Sequence, residues 1–246
     1  MIIGILETGK MADHLADAHG QYPYLFRSLF QSVEQTIEMP FWEVVYGELP
    51  ERPDVCDAWL ITGSRYGVYD DEPWIEPLKG FLRDVRDSTI PIIGICFGHQ
   101  IMAEAFGGRA EKSEKGWGCG VHTYDWVAKP SWITDQATSF SMHAMHQDQV
   151  TRLPEDAVTL ASSAFCKHAL VAYGELECPY AISVQAHPEF SASLGEVLVR
   201  FRRSSHIPED VADHALQTFG DPVQRESFVQ CALEIVRRSE RRRQAA

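Results

Sequence analysis

Ile90-Pro-Ile-Ile-Gly94-Ile-Cys96-Phe-Gly98-His-Gln100 opens as a strand, apolar on both faces, and passes through Gly-x-Cys-x-Gly into a helix that stops at Gly107-Gly108. Strands apolar on both faces sit centrally in parallel sheets. The Gly-x-Cys-x-Gly junction is a nucleophile-elbow pattern with cysteine in the serine place. Its glycines let the backbone crowd around a sharp turn and leave the thiol exposed above the sheet. The helix that follows aims its N–H groups and positive dipole end at the sulfur. That favours the thiolate, the nucleophilic form of a group whose free pKa is ~8.5. A buried cysteine beside packing glycines is the plainer reading, and strand, elbow and helix together outweigh it.

Upstream of this stretch the pattern alternates between strand and helix. Met1–Leu6, Trp42–Tyr46 and Ala58–Ile61 read as strands, the last ending in Thr62-Gly63-Ser64. Tyr24–Ile37 and Trp74–Val85 carry apolar residues at helical spacing, with Pro23 suited to a first turn. Repeated β-α-β units predict a parallel sheet with helices on both faces. Downstream, short strands with turns between them (Gly120–Val127, Ser139–Met145, Val158–Ser162, Ala169–Tyr173) predict an antiparallel addition at the sheet edge. Tyr180–Gln185 is a further strand, and the chain turns helical after Phe190. Asp221-Pro222-x-Gln224 reads as a capped helix start, with Val229, Leu233 and Val236 on the buried face. We therefore divide the chain into a catalytic unit over residues 1–190 and a helical C-terminal extension over 191–246, packed on it.

A cysteine nucleophile needs a base, and the base needs an orienting acceptor. His187-Pro188-Glu189 follows a strand, 91 positions after Cys96. In extended backbone, residues i and i+2 point to one side, so imidazole and carboxylate can project together. The C-terminal edge of parallel strands is where open α/β sheets build their sites.

Gly94-Ile-Cys96-Phe-Gly98-His-Gln100 and Val184-Gln-Ala-His187-Pro-Glu189 together resemble the two signature segments of class I glutamine amidotransferase domains, in order and across residues 1–190. The resemblance implies an open, mainly parallel, flavodoxin-like α/β sheet with an antiparallel addition. It implies Cys96 as nucleophile, His187 as base and Glu189 as its orienter. It also implies oxyanion-hole N–H groups from Gly63, Ser64 and Phe97, and glutamyl contacts from Gln100, His146, Gln147 and Asp148. Ile61-Thr-Gly-Ser-x-Tyr, followed by Asp-Glu-Pro-Trp74, is similar to stand-alone members and γ-glutamyl peptidases. Where the family has Gly-Gly-Pro, this chain has Gly63-Ser64-Arg65, so Ser64 is expected in a backbone geometry easier for glycine.

The implied activity is hydrolysis of a γ-glutamyl amide, glutamine or a conjugate, through a γ-glutamyl thioester, with no metal or organic cofactor. Two alternatives stay open. One is a glutaminase subunit delivering ammonia to a separate synthetase, since no synthetase domain follows here. The other is a non-catalytic binding or regulatory module, against which the intact Cys, His and Glu argue.

The rest of the composition narrows the field. The 246 residues are 45% hydrophobic and 23% charged, which excludes disordered and collagenous chains. A net charge of −13 repels phosphate backbones, so nucleic acid is not an expected partner. No apolar run approaches the ~18 residues of a membrane span. Met1–Leu6 lacks the basic flank of a signal peptide. Six cysteines without regular spacing read as free thiols in a reducing, cytoplasmic setting. Gly4-x4-Gly9-Lys10 mimics a P-loop, but Met11 stands where a Mg²⁺-binding Ser or Thr is needed. Asp13, His14, Asp17 and His19 fit no zinc spacing. Gly116-x-Gly118-x-Gly120 lacks the context of a dinucleotide loop, and His143 and His146 read as pocket-edge residues.

Overall fold

The computed structural model describes residues 1–245. The first half contains β1 (Ile3–Leu6), α1 (Asp13–His19), α2 (Tyr22–Val33), β2 (Phe41–Trp42), β3 (Ala58–Ile61), α3 (Ile75–Asp87), β4 (Ile92–Ile95) and α4 (Phe97–Ala105). There follow β5 (Arg109–Lys112), β6 (Gly118–Trp126), β7 (Ser139–His146), β8 (Asp148–Arg152), β9 (Ala157–Ser162), β10 (Leu170–Glu175) and β11 (Cys178–Val184). Three helices close the chain: α5 (Ala192–Arg202), α6 (Glu209–Leu216) and α7 (Arg225–Ala245).

One nine-stranded sheet runs β2-β1-β3-β4-β11-β10-β9-β6-β7, and β5 pairs with β8 apart from it. The strands from β2 to β11 are mutually parallel. Those from β10 outward pair antiparallel, as the turn-rich downstream sequence predicts. Every residue of β1, β3 and β4 is buried, because helices cover both faces. One face packs α2, α5 and α7 through residues such as Phe26, Leu198 and Leu233. The other packs α3 and α4 through Leu78, Leu82 and Ile101. Full burial of one such side chain contributes about 1.5–3 kcal/mol. The parallel strands all end on one edge. There the strand order reverses between β1 and β3, the position where this topology opens a crevice.

Several boundaries differ from the sequence reading. The strand expected over Trp42–Tyr46 ends at Trp42, whose carbonyl accepts from Glu7 N–H. Val44–Tyr46 is instead a 3₁₀ turn closed by Gly47 at φ 87°. Its apolar residues face opposite ways, Val44 into the core and Tyr46 into solvent. The last helix starts at Arg225, after the expected cap. Gln224 is diverted to β7: its N–H donates to Ser141 O (2.9 Å) and its Oε1 accepts from Ser141 N–H (2.6 Å). That occupies hydrogen-bonding groups on the last strand of the sheet, which an unpaired edge would leave open. Val229, Leu233 and Val236 are buried as expected, and α7 lies against β11 and α2. The sequence reading did not anticipate α1, β5 or β8. None of the described helices is long and apolar enough to cross a membrane.

Candidate active site

Cys96 occupies the junction of β4 and α4 with φ 52° and ψ −100°. A non-glycine residue held there stores roughly 1–3 kcal/mol of strain, which the surrounding bonds hold in place. Cys96 N–H donates to Val184 O (2.9 Å), and its carbonyl accepts from Gln100 N–H (3.1 Å). The flanking glycines are required by contact. A Cβ on Gly98 would lie 2.5 Å from Ile61 O, and one on Gly94 would lie 2.7 Å from Gly98 O. The elbow is therefore pressed against β3 and folded tightly onto its own helix. The thiol is not open to the surface as the sequence reading expected. Cys96 is only 6% exposed and lies on the floor of a cleft of about 730 Å³.

His187 and Glu189 meet as expected, but through a turn: β11 ends at Val184 and Phe190 N–H closes back on His187 O (3.4 Å). His187 Nδ1–H donates to Glu189 Oε1 at 2.7 Å, with both side chains buried. The imidazole lies beside Cys96, both within 3.6 Å of where a Cβ on Gly63 would stand. Burial opposes a charged imidazole here. The Glu189 carboxylate and the Cys96 sulfur outweigh it and raise the His187 pKa to about 10. Phe190 stacks on the imidazole, centroids 4.1 Å apart and planes within 9°, which fixes the ring's orientation. His143 is not at the pocket edge. It lies behind the turn, its Nδ1 3.0 Å from Phe190 O and its carbonyl accepting from His187 N–H (2.8 Å).

The loop after β3 closes the site from the other side. A Cβ on Gly63 would come within 3.0 Å of His187 Cε1 and 3.6 Å of Cys96 Cβ. Thr8, just beyond β1, holds this loop. Its hydroxyl donates to Thr62 O (3.0 Å), its N–H donates to Thr62 Oγ1 (3.0 Å), and its carbonyl accepts from Ser64 Oγ (2.7 Å). The positive-φ residues other than glycine are Thr89, Cys96 and Ser204 among the described residues. Ser64 thus needs no glycine-like geometry, contrary to expectation. No backbone acceptor takes the N–H groups of Gly63 or Ser64 among the described residues. Phe97, first residue of α4, has one of the free N–H groups of a helix start. Gly63 lies against Cys96 and Phe97 follows it in the chain, so these free N–H groups belong to segments that adjoin the thiol.

Gln100, His146, Gln147 and Asp148 all line the cleft. Gln100 Nε2 donates to Asp148 O (3.0 Å) and to Gln185 Oε1 (3.1 Å), so it braces the wall as well as facing the cavity. His146 Nδ1 is 3.1 Å from Asp148 O, and burial pushes its pKa down to about 3, leaving it neutral. Asp148 Oδ2 accepts from Tyr69 OH at 2.8 Å. Sequence reasoning missed Gln185, whose Nε2 points to Cys96 Sγ at 3.6 Å. Its signal was its place two residues before His187 in Val184-Gln-Ala-His187. Thr8, and Tyr22 in the cleft wall, were also missed. In the P-loop look-alike, Gly4 lies inside β1 and Lys10 pairs with Glu7 and Glu43.

A doubly covered α/β sheet with a cysteine elbow, a His-Glu turn and a braced loop facing them defines a class. The chain belongs to the class I glutamine amidotransferase family, whose sequence model matches residues 17–203. It is 28% identical to a glutamine amidotransferase-like protein of Schizosaccharomyces pombe, over 89% of this chain and 92% of that one. It is 30% identical to gamma-glutamyl peptidase 5 of Arabidopsis thaliana, over 82% and 81% of the two chains. In fold it is similar to a glutamine amidotransferase from Thermotoga maritima, with a TM-score of 0.73 at 18% identity, covering 97% of this chain and 98% of that one.

Proposed function

We propose that this protein hydrolyses a γ-glutamyl amide, glutamine or a γ-glutamyl conjugate, through a thioester on Cys96. The observation that carries this reading is the position of His187, held by Glu189 at 2.7 Å and lying beside Cys96 against Gly63. A His187 pKa raised to about 10 keeps the imidazole protonated beside the sulfur at neutral pH. The thiolate attacks the side-chain carbonyl carbon and the S–C bond forms. The oxyanion is held by N–H groups of Phe97 and the Gly63-Ser64 loop. The C–N bond then breaks as His187 gives its proton to the leaving amine. In the second half His187 takes a proton from water, the hydroxide adds to the thioester, and S–C cleavage releases glutamate and restores the thiolate.

Four of the five remaining thiols supply an internal control. Burial pushes Cys56 up to about 11 and Cys119, Cys166 and Cys231 up to about 12, so they stay protonated and slow. Iodoacetamide on native protein is expected to label Cys96 far faster than any of these, and mass spectrometry during turnover is expected to find a γ-glutamyl adduct on Cys96. Equal labelling of all six thiols, with no adduct, would end this reading.

A further inference from the structure

We propose that Gln185 is a catalytic residue that donates a hydrogen bond to the Cys96 thiolate, and that Gln100 is the positioning residue that turns the Gln185 amide the right way round to do so. This rests on the hydrolase reading, which requires a thiolate at Cys96, and adds two residues to the working parts of that site.

Cys96 is only 6% exposed, and a charged sulfur so far from water is costly unless donors reach it. Gln185 reaches it: Nε2 lies 3.6 Å from Sγ, a distance that suits the large sulfur atom. Gln185 is itself fully buried, so its amide must find partners inside the protein. Cys96 Sγ is the one acceptor that its Nε2 has among the described residues. A methionine or leucine would fill this volume without the cost of burying an amide. What the glutamine adds is an N–H aimed at the nucleophile. The backbone fixes its place. Gln185 follows Val184, whose carbonyl takes the Cys96 N–H (2.9 Å), and its own N–H donates to Ala169 O (2.9 Å) just before β10.

An amide has two ends of opposite sense, and the wrong one would point lone pairs at a thiolate. The network around Gln185 excludes that arrangement. The Asp148 main-chain carbonyl can only accept, so the Gln100 atom facing it at 3.0 Å is Nε2. The same Nε2 faces the Gln185 side chain at 3.1 Å, so the Gln185 atom there must accept and is Oε1. Nε2 of Gln185 is then the end turned to Cys96. A flip of either amide would set two donors, or two acceptors, against each other. Both hydrogens of Gln100 Nε2 are spent in this chain of bonds, so towards a substrate Gln100 offers only Oε1.

The test follows alkylation by iodoacetamide against pH, read at each cysteine by mass spectrometry. Iodoacetamide carries no glutamyl group, so any substrate contact of Gln100 does not enter. Tyr22, Tyr124, Cys166 and His187 sense charge at Cys96, and Glu189 holds His187; the variants keep all of these groups. In Gln185→Met the midpoint of the Cys96 profile should move to higher pH by about one unit, a roughly tenfold change in the acid–base equilibrium and the low end for a hydrogen bond to a charged group. The plateau rate above the midpoint should rise about threefold, because a sulfur released from its donor is the stronger nucleophile. A mere loosening of the fold would not couple these two changes, and would speed labelling of the buried Cys56 and Cys119. Gln100→Met should give a smaller shift of the same sign, and it decides alone if Gln185→Met is unfolded by that measure. The double variant should shift no further than Gln185→Met, since Gln100 acts through Gln185. Midpoints that stay at the wild-type value, or shifts that add in the double variant, overturn the proposal. Midpoints that move as stated without turnover of any γ-glutamyl amide remove the hydrolase reading and leave the Gln185 bond standing.

Discussion

At the scale of single residues, the site divides labour by charge. Glu189 sets its carboxylate against His187 Nδ1, and one of its oxygens, Oε2, has no partner among the described residues. Replacing it with glutamine keeps an acceptor but removes the charge that raises the His187 pKa. His187→Asn removes the proton carrier itself. We expect His187→Asn to cost more turnover than Glu189→Gln, by about tenfold or more, given that general acid–base catalysis contributes about 10²–10⁴-fold. The same charge sets a pH dependence of stability. The His187 pKa is raised in the folded state, so its contribution is complete below the unfolded value of ~6.5 and fades as pH rises towards 10. Urea unfolding at pH 6.5 and 7.5, below the ~8.5 at which thiols titrate in the unfolded chain, should show falling stability in the wild type and a shallower fall in Glu189→Gln. Equal slopes would detach the imidazole's charge from Glu189. Cys96, His187 and Glu189 were legible in the sequence because strand, glycine and helix signals surround them. Gln185 and Thr8 were not, since their partners are 89 and 54 positions away and local pattern carries no such pairing.

At the scale of elements, the elbow depends on how closely α4 approaches β3. A methyl on Gly98 would meet the Ile61 carbonyl at 2.5 Å, and a backbone atom cannot swing aside as a side chain would. Gly98→Ala should therefore destabilise by about 1–3 kcal/mol and displace Cys96, lowering kcat more than the change in folded fraction explains. A variant with wild-type melting and turnover would show that this contact is slack. The central strands and α2 to α4 were readable because their apolar patterns are long and uninterrupted. The turn at Val44–Tyr46 was not, because β-branched and aromatic residues suit a strand locally and only the end of the pairing at Trp42 stops it. The two-stranded pair β5-β8 escaped notice for a related reason: Arg109–Lys112 alternates weakly and is held by its partner rather than by propensity. The Asp221 to Gln224 motif had correct cap chemistry but was claimed by β7, a tertiary contact that outcompeted a local one.

At the scale of the whole molecule, the sheet brings the ends of β1, β3, β4 and β11 to one edge, so segments from across the chain meet over one thiol. We infer that residues 191–246 are integral to folding, since α7 packs on the same core as β11 and α2. Three contacts hold the site together: the His187 to Glu189 bond, the bracing of the loop after β3 by Thr8, and the reach of Gln185 to Cys96. The most direct measurement is steady-state turnover of glutamine and several γ-glutamyl amides by the purified protein alone, with EDTA and without nucleotide, beside Cys96→Ala. We predict glutamate release from at least one substrate by the wild type and none above background from the variant. Silence on every substrate until a second protein is added would contradict an autonomous hydrolase and point to a glutaminase subunit, and undiminished turnover by Cys96→Ala would contradict the thioester.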